Sequence, residues 1–145
     1  MKNLIIILGL LIGVTSYAQN DHHERIKSLK VSFLTEELNL TPSEAEKFWP
    51  IYNIYDSKMN DLRNRERSLF KQKYGSSGSK NTFSEGEANK LIAEYNDILE
   101  KRFALESSLM SDLTRKLPAS KMMFLPEVEH KFGKKLWEEY RKRKK

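Results

Sequence analysis

The sequence predicts an all-α protein, an elongated four-helix array with an antiparallel hairpin of two long helices at its centre. Three observations carry that prediction. Thr41-Pro-Ser-Glu44 and Ser84-Glu-Gly-Glu87 are both capping-box sequences, in which a hydroxyl and a carboxylate three residues on satisfy each other's backbone amides at a helix start. Each heads a long stretch whose apolar residues recur at helical spacing. Between them, Gly75-Ser-Ser-Gly-Ser-Lys-Asn81 is the chain's low-complexity segment, so that 75–83 reads as a loop.

The chain begins with a segment that reads as leader rather than fold. Lys2 supplies a short positive start, and Leu4 to Val14 is an apolar run of secretory length, too short to span a bilayer. Ser16 and Ala18 are small residues suited to cleavage after Ala18. Residues 1–18 are therefore expected to be a signal peptide and 19–145 a single helical domain, exported to the periplasm. The chain has no cysteine, so neither a lipoprotein anchor nor a disulfide framework is open to it, and packing alone must hold it together.

The expected helices are 21–39, 42–74, 85–117 and 118–143. In the first, Ile26, Leu29 and Phe33 share one face and Val31, Leu34 and Leu38 another. Asn39 ends it. The second starts at Pro42, a residue suited to the first helical position because its missing amide would have no partner there. Leu40 precedes the cap, where a hydrophobic staple begins. Phe48, Ile51, Tyr52, Tyr55 and Met59 form a stripe that continues through Leu62, Leu69 and Phe70. Pro50 removes one backbone hydrogen bond inside this helix and predicts a kink over Glu46–Pro50. The third helix carries Ala88, Leu91, Ile92, Tyr95, Leu99, Phe103, Leu109, Met110, Leu113 and Leu117. Pro118 restricts the residue before it and ends that helix. The fourth has Phe124, Val128, Phe132 and Leu136 as its buried face, with Pro126 inside it or resetting its start. At 1.5 Å per residue, each long helix would extend about 48 Å.

Charges interrupt the stripes. Glu66 falls at the centre of the second helix's stripe; Arg102 and Glu106 fall near the centre of the third's. With the hairpin turning near Gly78, Glu106 would lie opposite Tyr52. Either these groups pair, or the array is open there; the sequence leaves both. Trp49 and Ile54 lie about 100° and 240° round the helix from Phe48, outside its stripe. Trp137 and Tyr140 lie to one side of the fourth helix's stripe. These four are the candidate partner-binding residues, although an aromatic two turns into a capped helix, as Trp49 is, more often packs in a core.

The chemistry of catalysis is missing from the sequence. It shows no nucleophile–base pair, glycine-rich phosphate loop or His-Glu-x-x-His spacing. His22 and His23 are adjacent, so they face different ways on a helix, and His130 is distant. No enzyme activity, cofactor or metal is expected. Without Lys2 the chain has 25 basic against 20 acidic residues, and without Arg141–Lys145 as well the two balance at 20 each. All the excess positive charge of the exported chain thus sits in a five-residue tail, 141–145. That is not a nucleic-acid-binding face. It suits a helix C-terminus, where cations oppose the dipole, or weak contact with an anionic membrane surface.

Leu40-Thr41-Pro42-Ser-Glu44-Ala opening the second helix, followed by Phe48-Trp49-Pro50-x-Tyr52, in a cysteine-free helical chain behind a leader, resembles the periplasmic Spy/CpxP group with its LTxxQ motifs. It is nearest to small exported proteins described as sensors of ECF-type sigma factors, where a Phe-Trp-Pro-x-Tyr stretch recurs. Glu44 stands where that group has Gln, and Leu117-Pro-Ala-Ser-Lys121 occupies the second motif's place but departs from it after Leu117. The resemblance implies an all-helical cradle, often a homodimer, that holds unfolded or stress-exposed envelope proteins without ATP. It also implies an alternative, a stress sensor acting through a membrane-bound regulator. A plain structural helical protein is the third possibility.

Overall fold

A computed structural model describes residues 24–74 and 83–143. The expected signal peptide, His22 and His23, nearly all of the 75–83 loop and the last two residues of the tail lie outside them. The described residues are helical, without strands: α1 (24–37), α2 (Pro42–Tyr74), α3 (Glu85–Thr114), α4 (Ala119–Met122) and α5 (Leu125–Arg143). They divide into two units. One holds α1 and α5, the other α2, α3 and α4.

The unit of α2, α3 and α4 is built on the hairpin. Thr41 caps α2 as its sequence dictates: the Thr41 amide donates to Glu44 Oε2 at 2.8 Å and the Glu44 amide to Thr41 Oγ1 at 3.3 Å. Ser84 and Glu87 form the same reciprocal pair at the start of α3. α2 runs as one helix through Pro50, which is exposed, as is Glu46, so the carbonyl that Pro50 leaves unbonded can be hydrated. Phe48, Tyr52, Tyr55, Met59, Leu62 and Leu69 of α2 are buried, with Ile98, Leu109 and Leu113 of α3.

The cross-helix pairs run antiparallel: Phe70 with Tyr95, Arg65 with Asp97, Glu66 with Arg102. Continuing that register sets Tyr52 beside Leu113 rather than Glu106, which is exposed. The expected Tyr52–Glu106 apposition is thus corrected. Register follows the interlocking apolar residues, not the midpoint of the connection. The open question over the interrupting charges is answered at Glu66 and Arg102, which pair at 3.2 Å with both side chains part-buried.

Two further boundaries differ from expectation. α3 ends at Thr114, three residues early; Thr114 Oγ1 donates back to the Met110 carbonyl at 2.7 Å, and 115–117 form a turn before Pro118. The single helix expected over 118–143 is two. Pro126 has no amide to give the Met122 carbonyl, so α4 stops at Met122 and α5 starts at Leu125. The restart turns Phe124 outward. In place of the expected burial it is 51% exposed, while Leu125 is buried instead.

In the other unit, α1 ends through Asn39, whose φ of 48° is the left-handed conformation that Asn tolerates better than most residues. The Leu40 amide donates to the Thr35 carbonyl and the Asn39 amide to the Glu36 carbonyl, both at 3.0 Å, which closes the helix in a Schellman motif. Phe33 of α1 meets Phe132 of α5 with ring centroids 5.6 Å apart, and Lys135 Nζ lies 4.9 Å from the centre of the Phe33 ring. Leu34, Leu38, Leu125 and Val128 are buried.

Candidate binding surfaces

The motif residues make a structural node. Lys121 Nζ on α4 reaches Glu44 Oε2 at 2.6 Å, on the oxygen that already accepts from the Thr41 amide. The fifth residues of Leu40–Glu44 and Leu117–Lys121 therefore meet, although the second segment departs from the motif. Lys121, and after it the Thr41 amide, holds the Glu44 carboxyl below its ordinary value of 4.5. Sequence reasoning misses Lys121; position five of the degenerate second motif is the available signal.

Next to this node is an aromatic cluster. Phe48 stacks on Tyr52 at 5.1 Å, and Trp49 meets Phe48 edge-on at 5.0 Å and Tyr52 at 5.5 Å. Trp49 is half-buried by these contacts. The other candidate residues are more open: Ile54 is 61% exposed, Trp137 60% and Tyr140 50%. The four fall in two units. Trp49 and Ile54 belong to α2, and Trp137 and Tyr140 to α5 in the other unit.

A larger exposed apolar stripe lies on α3, and sequence reasoning does not separate it. Ile92, Leu99 and Phe103, at i, i+7 and i+11, fall within about 40° of one another round the helix. All three are exposed, Phe103 at 74%. They stand about 100° from the face that buries Ile98, Leu109 and Leu113. The apolar positions of α3 thus form two faces, not one. The recurrence Tyr95-Ile98-Leu105-Leu109 is the signal for the buried one. Glu100 and Glu106 flank the exposed stripe.

On the opposite side of the hairpin runs a shallow groove of about 470 Å³ between α2 and α3, with Leu62, Ala104 and Leu105 as its floor and Lys58, Asp61, Arg65 and Lys101 around it. Asp97 holds both Arg65, at 3.2 Å, and Lys101, at 2.8 Å, and these cations lower its carboxyl below the usual value, Lys101 most. The groove's charges are thereby largely balanced. Ile54 lies one turn before Lys58.

Among the described residues, no three His, Asp or Glu side chains gather as a metal site requires, and no helix is long and apolar enough to cross a membrane. What these surfaces offer chemically is exposed apolar area and a groove rimmed by charged side chains. Set against family models, curated proteins and solved structures, the chain finds no match in any of the three.

Proposed function

We propose that this is an exported, periplasmic, ATP-independent binder of unfolded or stress-exposed envelope proteins, with the Spy/CpxP-like cradle as its architecture and no enzymatic activity of its own. One observation supports this reading above the rest. The hairpin buries Phe48, Tyr52, Met59, Ile98 and Leu113 completely or nearly so, yet keeps Ile92, Leu99 and Phe103 of α3 in solvent. A plain structural bundle has no use for such a stripe, since contiguous exposed apolar area invites association. A protein that takes up segments of partly unfolded chains has direct use for it, because non-native proteins share exposed apolar side chains and little else. Ile54 adds apolar area on α2, and Trp49, fixed by Phe48 and Tyr52, offers a half-open edge.

The test is light scattering of an aggregating client with the purified protein and with a Phe103→Ser, Leu99→Ser double variant. The parent is expected to suppress aggregation at near-stoichiometric ratio. The variant is expected to lose most of that protection while its helix content and melting temperature stay within a few degrees, because exposed substitutions cost little stability, about 0.5 kcal/mol or less each. Equal protection by parent and variant would remove the α3 stripe from the function. No protection by either would remove the chaperone reading and leave the stress-sensor and structural ones.

A further inference from the structure

The outer face of α5 differs in kind from the α3 stripe. At 100° per residue, Gly133, Lys134, Trp137, Tyr140 and Arg141 fall within about 120° of arc, and Trp137 lies about 140° round from buried Phe132. No carboxylate falls inside that arc; Glu127 and Glu129 lie at its edges and Glu138 and Glu139 beyond them. Trp137 and Tyr140 stack at 5.9 Å with their planes 24° apart, both well exposed. A Cβ added at Gly133 would meet nothing within 4 Å, so the face is open at that position. From Leu125 to the end of the chain there are eight basic and four acidic residues.

We infer that this face of α5 docks on an anionic membrane surface, with the helix lying on the bilayer rather than crossing it. Trp and Tyr carry an apolar ring and a polar edge, the combination favoured at the headgroup boundary. Lys134, Arg141 and the basic tail supply attraction to anionic lipid, which decays within a Debye length and so acts only on a surface already close. A convex helix side with stacked rings matches an interfacial amphipathic helix. Its charge is opposite to that of Glu100 and Glu106, which flank the α3 stripe. The inference stands whether or not the chaperone reading does.

The test is co-sedimentation with vesicles of phosphatidylcholine plus phosphatidylglycerol, against phosphatidylcholine alone. The leader would itself partition into lipid, so the protein is recovered after export, and parent is compared with variants. Binding is expected on the anionic vesicles only, and expected to be lost in high salt. In a Trp49→Phe background the remaining tryptophan, Trp137, should shift its emission to the blue on binding. Gly133→Glu places a carboxylate inside the face without a clash at Cβ and with better helix propensity than Gly. It should lower the bound fraction about tenfold with circular dichroism unchanged, as should Trp137→Ser. Absence of binding to anionic vesicles at low salt overturns the proposal, as does binding that Gly133→Glu leaves intact. It is equally overturned if Trp137→Ser abolishes protection of an unfolded client while vesicle binding persists, since the face would then be a peptide site.

Discussion

Thr41 and Ser84 start their helices with nearly the same hydrogen bonds, and the two starts do different things. The Thr41 amide lies 2.8 Å from its glutamate and the Ser84 amide 2.9 Å; the return bonds are both 3.3 Å. At Ser84 the box is a local device, in which the Ser84 hydroxyl also donates to Glu87 at 2.8 Å and the residues stay exposed. At Thr41 the glutamate also receives Lys121, 77 residues away in sequence, and both partners are part-buried. The helices diverge again two turns on. Seven residues past Thr41 stands Phe48, with no exposure; seven past Ser84 stands Leu91, half-buried. A local code suffices to begin a helix. Whether that beginning is also a fixed point of the fold depends on what the rest of the chain brings to it.

The largest break in the comparison should come from those seventh residues. Phe48→Ala removes a ring packed on Trp49 and Tyr52 and should cost about 3–5 kcal/mol, read from denaturant unfolding. Leu91→Ala, at a half-buried site, should cost less than half of that. Equal losses would mean that the Ser84 end is as tightly packed as the Thr41 end.

Next in size are the caps. Thr41→Ala and Ser84→Ala each leave one helix-start amide without its acceptor and should each cost about 1 kcal/mol. If both boxes are local as far as the hydroxyl is concerned, the two losses agree. A Thr41→Ala loss more than twice that of Ser84→Ala would show that the hydroxyl also holds Glu44 in place for Lys121.

Much of the helix framework is legible in the sequence because its signals are short-range. The two boxes, the Asn39 stop and the α2 stripe each need only residues within a few turns, and helix geometry does the rest. What the sequence hides involves distance or competition. The Glu44–Lys121 contact joins segments that no periodicity links. The Tyr52–Glu106 apposition fails because a connection's midpoint does not determine register. Phe124 and Leu125 exchange places because Pro126 resets the helix phase, and one residue of phase is 100° of rotation. On the third helix as the sequence predicts it, ten apolar positions at helical spacing suggest one stripe, but ten are enough for two, and only packing decides which faces inward. The candidate surface is accordingly legible in part: Ile54, Trp137 and Tyr140 are open, Trp49 is half-closed, and the α3 stripe emerges only from the packed structure.

The smallest expected effect distinguishes the two glutamates most directly. Both carboxyls are held below their ordinary value of 4.5, Glu44 first by Lys121 and then by the Thr41 amide, Glu87 by the Ser84 amide and then its hydroxyl. A carboxyl whose folded value is depressed contributes stability that is present above its unfolded value. That contribution is lost as pH falls through the folded value. Both boxes should therefore weaken as pH drops below about 4.5, and neither should respond to pH between about 6 and 8. Lys121→Met removes the first cause at Glu44 and leaves Glu87 untouched. By carboxyl-detected NMR titration, Glu44 should move up toward its ordinary value in the variant while Glu87 stays where it is. The melting temperatures of parent and variant should differ at neutral pH and converge in acid, because a protonated Glu44 no longer attracts Lys121 in either the folded or the unfolded chain. If Glu44 titrates alike with and without Lys121, water screens the pair, and the Thr41 box is as local as the one at Ser84.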